Sequence, residues 1–333
     1  MKKYRVAMIG VGDVAQTHHN MLSKIPDRCE VIGMFDIDAA QLQKRHEEWK
    51  YRKFDSLGAV LAARPDICWV LTPAWPRLEI LEQCFAAGCH CFAEKPLALT
   101  VAEAERAVEL ANGAGRKLFV GHNPRNDPPT HTMAQLFFDG VLGDLIKVYY
   151  NEYIQRDESA WRMKLHARDT WRLEFAKCGG RIFEFSIHGV NFLQWIGGDA
   201  RWVYGHHDAV SETVRNTGQD DVVSAHVGFA RGYGINETIM APGMKNRREV
   251  GIVGTRGECF GEDKKVRMIV PCEKRNELID LAPCPNRAVS FLDSLDRDET
   301  PIQNGAVAIA TTRICRAFNE SAKTHQVVHL GEH

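Results

Sequence analysis

The chain has 333 residues, which is long enough for two domains of ordinary size. Its 42 lysines and arginines nearly balance its 43 aspartates and glutamates, which excludes a general nucleic-acid-binding surface because such a surface needs excess positive charge. The hydrophobic fraction of 44% and the charged fraction of 26% exclude a disordered chain and are typical of a globular protein.

The first 123 residues alternate short apolar segments with helical patterns. Strands are predicted at residues 4–9, 29–36, 66–73, 90–96 and 117–123. Helices are predicted at residues 14–24, 55–63, 77–87 and 100–114. The last helix has Thr100 as its N-cap and Glu103 at the capping-box spacing. Apolar strands separated by helices belong to a parallel sheet covered on both faces, so we predict a doubly wound α/β domain over residues 1–123.

The pattern changes after the proline-rich segment at residues 124–129, which we interpret as the crossing point between two domains. The predicted elements are helices at 130–139, 180–196, 286–296 and 303–322, a strand at 144–155, and strand-like segments from 200 to 281. Strand-like segments joined by glycine-containing turns predict a large, open, mostly antiparallel sheet in an α+β domain over residues 124–333. We expect the helix near 303–322 to pack back on the first domain.

A glycine-rich turn links the first predicted strand to the first predicted helix. The letters GVGDVA, from Gly10 to Ala15, form a G-x-G-x-x-A element in that strand–turn–helix context. Gly10 allows the tight turn, Gly12 lets the backbone approach a pyrophosphate, and Ala15 lets the helix pack closely on the sheet. The pattern predicts a dinucleotide-binding Rossmann domain, with the phosphates at the helix N-terminus. A purely structural glycine turn is the alternative.

Asp36 ends the second strand, close to the position expected of a ribose-binding acid. Its carboxylate can accept hydrogen bonds from the adenosine-ribose hydroxyls and would repel a 2′-phosphate. No arginine follows it immediately, since Ile37, Asp38 and Ala39 come next. This favours NAD over NADP as the cofactor.

Two further segments carry reactive groups. The strand at 90–96 ends in Glu94-Lys95-Pro96, at the sheet edge where ligands of open α/β folds bind, and a lysine there can hydrogen-bond a reacting hydroxyl. Glu184 and His188 lie four residues apart on a largely apolar helix and therefore share one face. A buried glutamate and histidine are costly unless they are used or paired. A surface lysine and a hydrogen-bonded core histidine are the alternatives.

Together these motifs resemble the Gfo/Idh/MocA family of NAD(P)-dependent sugar and cyclitol oxidoreductases. The resembling segments are GVGDVA, the Thr72-Pro73 turn, AAGCHCFAEKPLA from Ala86 to Ala98, GHNPRNDP from Gly121 to Pro128, Trp171-Arg172, the Gly179-Gly180 helix with His188, and the Ser321-Ala322 ending. By position, Lys95 corresponds to the family's catalytic lysine and His188 to its catalytic histidine.

The chain departs from the family pattern at four positions. The acid four residues before the histidine is usually Asp in the family and is Glu184 here. The family's TP-N-x-x-H has Ala74 and Arg77 in place of Asn and His, and its Asp three residues after the histidine is Asn191. We expect these last three changes to alter the rim of the substrate pocket.

The resemblance implies a dehydrogenase in which His188 is the general base and Lys95 polarises the same substrate oxygen. The predicted catalytic residues are Lys95, His188 and Glu184. The predicted cofactor-binding residues are Gly10, Gly12, Asp13, Val14, Ala15, Asp36, Ile37, Thr72, Pro73, Trp75, Glu94, Lys95 and Asn123. The predicted substrate-binding residues are Arg125, Trp161, Arg162, Trp171, Arg172 and His188. A carbohydrate or polyol is the expected substrate, and the arginines near Trp161 and Trp171 are compatible with an acidic sugar or a phosphate.

Two other functions fit the same motifs. An NAD-dependent glycosidase would oxidise C3 transiently and eliminate the aglycone, with Glu184 or His166 as a further acid/base, and would release product without net NADH. A non-catalytic dinucleotide sensor would turn over no polyol at all. The presence of both Lys95 and His188 favours an enzyme over a sensor.

The remaining features restrict the setting. The ten cysteines are scattered without a C-x-x-C pair, which favours reduced, mostly buried thiols in a cytoplasmic protein. No apolar segment approaches the length of a membrane span. The histidine pairs at 18–19 and 206–207 lack a third ligand at metal spacing, so no metal site is predicted. We expect a homodimer or homotetramer formed through the open sheet.

Overall fold

The structure is a computed structural model that describes residues 2–156, 167–215 and 219–331, with the backbone alone at residues 167–169 and 213. The chain divides into two compact units. Unit 1 consists of residues 1–122 and 285–309, and unit 2 consists of residues 123–284 and 310–333.

Unit 1 contains a five-stranded parallel sheet. Its strands are β1 (Tyr4–Ile9), β2 (Cys29–Phe35), β3 (Ile67–Val70), β4 (His90–Ala93) and β5 (Leu118–Val120). The order across the sheet is β2-β1-β3-β4-β5, and every neighbouring pair is parallel. The predicted doubly wound sheet is confirmed.

Helices cover both faces of this sheet. They are α1 (Val14–Leu22), α2 (Ala39–Trp49), α3 (Leu57–Ala62), α4 (Arg77–Ala86) and α5 (Val101–Gly113). α3, α4 and α5 contribute to the core on one face, and α1 and α2 contribute to the core on the other. The predicted capping box of α5 is confirmed, because Thr100 and Glu103 each accept a backbone N–H of the other residue.

Two parts of unit 1 differ from the prediction. Helix α2 was not predicted, because its sequence is strongly polar and buries little besides Leu42, Arg45 and Trp49. Residues 285–309 were predicted to lie in the second domain, yet they belong to unit 1. Helix α10 (Arg287–Asp296) inserts Phe291 against Phe92 and Phe119 on the face that α1 and α2 leave incompletely covered.

Unit 2 is built on a large sheet preceded by helices. Its described helices are 3-10 turns at Pro124–Asn126, Ala167–Leu173 and Pro271–Glu273, α6 (Pro128–Phe138), α7 (Phe175–Cys178), a π turn at Ile182–Ser186, α8 (Ile187–Gly197) and α9 (Glu212–Arg215). Its described strands are β6 (Leu145–Gln155), β7 (Trp202–Asp208), β8 (Val222–Gly228), β9 (Tyr233–Ala241), β10 (Arg247–Gly254), β11 (Glu258–Glu262), β12 (Lys265–Val270), β13 (Arg275–Ile279) and β14 (Val328–His329). The boundary between residues 309 and 310 falls inside the last helix, α11 (Gly305–Thr324).

Across the described residues the strand order is β13-β12-β11-β10-β6-β9-β8-β7-β14. Only the central pair β6–β9 is parallel among these strands, so the predicted open, mostly antiparallel sheet is confirmed. Helix α8 packs on one face of it, where a Cβ added to Gly189 would lie 2.1 Å from the Asn236 amide nitrogen. Glycine at position 189 therefore lets the helix that carries His188 approach the sheet closely.

Candidate active site

The glycine turn of unit 1 has the shape that a dinucleotide requires. Gly10 has φ +84°, and a Cβ added there would lie 3.0 Å from the Thr72 nitrogen, so the turn needs glycine. A Cβ added to Gly12 meets no atom within 4 Å, so the backbone there faces open space. A pyrophosphate approaching the N-terminus of α1 could occupy this space, and the loop therefore fits the predicted cofactor. Asp13 and Val14 are exposed beside it, and Ala15 is buried against the sheet.

Asp36 braces this turn from the end of β2. Its Oδ2 accepts the Val11 N–H at 2.7 Å, and its Oδ1 accepts the Asp38 N–H at 2.9 Å. Each carboxylate oxygen can accept a second hydrogen bond, so the half-buried group can also accept from ribose hydroxyls. Ile37 beside it is 90% exposed, as a side chain that flanks a bound adenine would be.

Arg45 is a residue of this site that sequence reasoning missed. The side chain is buried on α2, stacks on Trp49 with its guanidinium 4.8 Å from the ring centroid, and donates to Gln16 Oε1 at 3.0 Å. Longer contacts of 3.4 Å reach the carbonyl oxygens of Val11 and Gly12. The signal was the spacing of Leu42, Arg45 and Trp49, which puts the arginine on the buried face of a helix.

At the end of β4, the structure places Glu94 inside the protein. The side chain is 5% exposed, and both carboxylate oxygens accept hydrogen bonds from protein groups. Oε2 accepts the Lys95 N–H at 2.8 Å, and Oε1 accepts from His18 Nε2 at 2.9 Å and from Arg287 Nη1 at 3.1 Å. The predicted cofactor contact of Glu94 is therefore replaced by contacts that hold the neighbouring backbone.

Arg77 does not lie at a pocket rim, contrary to the prediction. It is 1% exposed, and its guanidinium donates to the carbonyl oxygens of Thr72, Glu94 and Pro96. Burial lowers its pKa to about 10, so the side chain stays protonated at neutral pH. The cation thus joins the turn after β3 to the turn that carries Lys95. Ala74 is also buried, whereas Trp75 is 50% exposed and remains a candidate for cofactor contact.

In unit 2, His188 lies in the first turn of α8, directly after the π turn at Ile182–Ser186. Such turns are frequent at functional sites because they change the direction in which side chains project. The half-buried His188 ring accepts the Asn123 N–H at its Nδ1, at a long 3.5 Å. This contact lies at the limit of hydrogen-bonding distance and does not by itself fix which ring nitrogen carries the proton.

Glu184 is buried between two arginines. Its Oε1 lies 2.5 Å from Arg172 Nη1, and its Oε2 lies 2.9 Å from Arg181 Nη1. Each carboxylate oxygen therefore accepts a charge-assisted hydrogen bond from a guanidinium group. The arrangement fixes Arg172, whose guanidinium lies 4.6 Å from the Trp171 ring centroid.

The other predicted substrate residues are found in different settings. Arg125 stacks on Trp195 at 5.0 Å and donates to Gln194 Oε1 at 3.4 Å, and burial lowers its pKa to about 10. Trp161, Arg162 and the alternative acid/base His166 lie outside the described residues. Asn191 is fully buried and donates to Thr311 Oγ1 at 3.2 Å, so it does not shape a pocket rim as predicted.

Three further observations concern the wider molecule. The ten cysteines are free thiols, and eight of them are buried. Within residues 2–156, 167–215 and 219–331, no group of three or more histidine, cysteine, aspartate or glutamate side chains could hold a metal ion. In the same ranges, no helix combines the length and the apolar character needed to cross a membrane.

Comparisons with known proteins identify the family of both parts of the chain. Residues 4–122 match the model of the Gfo/Idh/MocA oxidoreductase family, NAD-binding Rossmann fold, and residues 130–259 match the C-terminal domain model of the same family. Inositol 2-dehydrogenase of Gluconacetobacter diazotrophicus is 28% identical over 169 residues, which is 50% of either protein. Glucose-6-phosphate 3-dehydrogenase of Bacillus subtilis is 23% identical over 65% of this chain and 57% of its own length. The matches thus span only about half the length of these relatives.

Among solved structures, the WlbA dehydrogenase from Bordetella pertussis, in complex with NADH and UDP-GlcNAcA, has the same fold. The TM-score is 0.84, with 22% identity over 100% of both chains. The first family model includes the glycine turn of unit 1, and the second includes the His188 helix of unit 2. Together the two models match most of the sequence. The chain belongs to the Gfo/Idh/MocA family of oxidoreductases, and its N-terminal part is an NAD-binding Rossmann fold.

Proposed function

We propose that this protein is an NAD-dependent oxidoreductase that transfers a hydride between the nicotinamide and a secondary alcohol of a sugar, cyclitol or sugar acid. The observation that carries the proposal lies in unit 1. One parallel sheet presents both a glycine turn that fits a dinucleotide and a lysine whose backbone is fixed by buried side chains. The named relatives are dehydrogenases of inositol and glucose 6-phosphate, which supports a polyhydroxylated substrate.

NAD, when bound, supplies the hydride acceptor at C4 of its nicotinamide ring. The residues that would hold it are Gly10, Gly12, Asp13, Val14, Ala15, Asp36, Ile37, Thr72, Pro73, Trp75 and Asn123. His188 takes the proton from the substrate hydroxyl, and Lys95 donates a hydrogen bond to the same oxygen. The C–H electron pair leaves with its hydrogen, and the C–O bond becomes a carbonyl. In the reverse direction, His188 returns the proton and Lys95 stabilises the developing alkoxide.

For substrate binding, we propose Trp171 and Arg172 as a stacked pair, with the indole against sugar C–H groups and the guanidinium on hydroxyl or carboxylate oxygens. Trp161, Arg162 and Arg125 remain candidates for the same role. Glu184 fixes Arg172 and is not proposed as a proton acceptor, because it already pairs with two cations. The same pairing argues against Glu184 as the further acid/base of the glycosidase alternative, for which His166 was the other candidate.

The finer properties are proposals as well. The Asp36 carboxylate favours NAD over NADP, since it would repel a 2′-phosphate. A homodimer or homotetramer would form through the face of the unit 2 sheet opposite α8. A cytoplasmic location stays a prediction from the cysteines.

The experiment is a panel of polyols, aldoses, uronates and glycosides, read by NADH absorbance and by product release. Net NADH with at least one polyol is expected. Lys95→Met and His188→Asn should each lower kcat at least 100-fold, since general acid–base groups typically contribute factors of about 10² to 10⁴.

Matched controls are Lys44→Met and His325→Asn, two exposed positions that should retain wild-type kcat. Turnover within a few-fold of wild type in both active-site variants would overturn the proposed roles. Aglycone release without net NADH would identify the glycosidase, and NAD binding without turnover on any compound would identify the sensor.

A further inference from the structure

The backbone around Lys95 lies just beyond the end of the sheet. The last backbone hydrogen bonds that join the end of β4 to its neighbouring strands are those from the Glu94 N–H to the Val70 oxygen, at 2.9 Å, and from the Gly121 N–H to the Ala93 oxygen, at 2.8 Å. The next amide N–H, that of Lys95, donates to the Glu94 carboxylate and not to a carbonyl group of a neighbouring strand. The carbonyl groups of Glu94 and Pro96, on either side of Lys95, accept from Arg77. Side chains therefore hold the backbone of Lys95 where the sheet does not.

A buried chain of hydrogen bonds fixes the Glu94 carboxylate in turn. The Trp69 indole N–H donates to His18 Nδ1 at 2.9 Å. An indole N–H can only donate, so His18 carries its own proton on Nε2, which points at Glu94 Oε1. Arg287 also donates to Oε1, and it donates to the Gly121 oxygen at 2.7 Å.

The charge states follow from the surroundings. Burial opposes ionisation of Glu94, but the hydrogen bond from His18 and the positive charge of Arg287 outweigh burial and lower the pKa of the carboxyl group. Burial lowers the pKa of His18, so its ring is neutral. The cluster consists of one carboxylate, one guanidinium and one neutral imidazole with a single fixed tautomer. Its hydrogen bonds are thus directional, and the carboxylate has one orientation.

We propose that Glu94 is a positioning residue for Lys95, held by His18 and Arg287 and assisted by Arg77. Glu94 sets the direction in which the lysine leaves the sheet edge, and with it the place of the ammonium group relative to the substrate oxygen. The proposal rests on the proposed function, which makes Lys95 catalytic. It gives the Glu94 carboxylate and the His18 ring a role without contact to substrate or cofactor.

Glu94→Gln tests the proposal with little change of shape. A glutamine amide has one accepting oxygen, whereas Glu94 uses both oxygens, so the variant's NH₂ group must face either the Lys95 N–H or the His18–Arg287 side. An NMR readout is independent of activity. Glu–Lys steps occur at 94–95 and 273–274 alone in the sequence, and the one Gln–Lys step is at 43–44. Labelling with ¹³C-carbonyl glutamate and glutamine together with ¹⁵N-lysine therefore selects the amide signals of Lys44, Lys95 and Lys274 in wild type and variant alike. The Lys95 signal should shift upfield and exchange with solvent at least tenfold faster, while the Lys274 signal stays in place.

The kinetic readout separates positioning from folding and from cofactor binding. In Glu94→Gln, kcat should fall 10- to 100-fold and the primary deuterium isotope effect on kcat should rise, because misplacing the lysine slows the chemical step. The Kd for NADH should change less than threefold. Glu79→Gln, at an exposed position of α4, is the matched control and should leave kcat, the isotope effect and the Kd for NADH unchanged.

Two results would overturn the proposal: an unchanged Lys95 signal with an unchanged isotope effect, or a rise in the NADH Kd as large as the fall in kcat. If Glu94→Gln does not fold, His18→Leu removes one of the two donors to Oε1 and should give the same changes at smaller size. Failure of the proposed function would be seen elsewhere: wild type would turn over no compound of the panel, or Lys95→Met would keep nearly wild-type turnover. The NMR experiment would still test the orientation of Lys95 in either case.

Discussion

Asp36 has two roles in the proposed cofactor site. Its Oδ2 accepts the Val11 N–H within the glycine turn, and its negative charge lies where a ribose would bind. A hydrogen bond to a charged group contributes roughly 1.5–3 kcal/mol, and its loss frees the turn that cradles the phosphates. NAD affinity and discrimination against NADP therefore depend on the same side chain.

We predict that Asp36→Ala raises the Kd for NADH at least tenfold and narrows the preference for NADH over NADPH, because the repulsion of a 2′-phosphate is lost with the carboxylate. Fluorescence titration with both nucleotides measures this. Asp27→Ala, at an exposed position, should bind as wild type does. An unchanged Kd for NADH in Asp36→Ala would contradict the placement of the ribose.

His90 gives the protein an acid-sensitive contribution to stability. Its Nδ1 accepts the Lys117 N–H at 3.0 Å, and burial together with the positive charge of Arg116 lowers its pKa to about 4. An unfolded histidine has a pKa of about 6.5. Between these values the unfolded chain binds a proton that the folded chain does not, so the free energy of unfolding falls as the pH drops.

His90→Asn should flatten this dependence, since asparagine offers an acceptor near the Nδ1 position and does not titrate. Urea unfolding between pH 4.5 and 7.5 is the measurement. Some slope should persist, because the pKa of buried His18 is lowered too. The same slope in variant and wild type would show that His90 does not titrate as described.

At the scale of single residues, the sequence was sufficient to identify candidate functional residues but not the residues that contact them. Lys95, Asp36 and the two glycines were identifiable from local motifs alone. Glu94 was assigned to the cofactor because its partners, His18 and Arg287, lie 76 and 193 positions away and no local pattern indicates them. Sequence reasoning predicts Arg77 at a pocket rim because it replaces the histidine of the family's TP-N-x-x-H pattern, and only the three carbonyl groups around it explain its burial.

Helix α10 completes the core of a sheet whose strands all lie within the first 120 residues. Phe291 is fully buried against Trp69, Phe92 and Phe119, with ring centroids 5.5 to 6.4 Å apart. Removing such a ring leaves a cavity in addition to the lost transfer free energy.

We predict that Phe291→Ala lowers the free energy of unfolding by about 3–5 kcal/mol. Phe138→Ala is the control, since Phe138 is largely exposed and its loss should stay within about 0.5 kcal/mol. Chemical denaturation followed by tryptophan fluorescence compares the two variants. Equal losses would mean that α10 is not part of the core.

At the level of elements, periodicity predicted the strands of unit 1 and the capping box of α5, because these are local properties. It missed α2, because the sequence of this helix is mostly polar and only Leu42, Arg45 and Trp49 are buried. It found helix 286–296 but assigned it to the wrong unit, because periodicity shows which face of a helix is apolar and not which surface covers it.

At the scale of the whole molecule, the described residues of the unit 2 sheet include a strand, β9, that is buried on the side facing α8 and partly exposed on the other side. On β9 the residues alternate, so Gly234 and Asn236 face α8 while Tyr233, Ile235 and Ile239 point the other way and are at least partly exposed. Ile235 lies in register with Tyr149 on β6 and His226 on β8. A partly apolar face of this kind is typical of subunit contacts.

We predict that the protein is at least a dimer by light scattering at micromolar concentration, and that Ile235→Asp lowers its mass toward that of a monomer, since the charge would be buried in the contact. Val210→Asp places the same charge at an exposed site outside the strands and should keep the wild-type mass. A monomeric wild type would remove the proposed assembly.

The late position of α10 also has a consequence for biosynthesis. When the fifth strand of the Rossmann sheet leaves the ribosome, about 170 residues must still be made before Phe291 can cover Phe92 and Phe119. At translation rates of roughly 5–20 residues per second, that apolar face stays open for about ten to thirty seconds. The domain that begins first is therefore finished nearly last, and the nascent chain offers chaperones an aromatic surface during that interval.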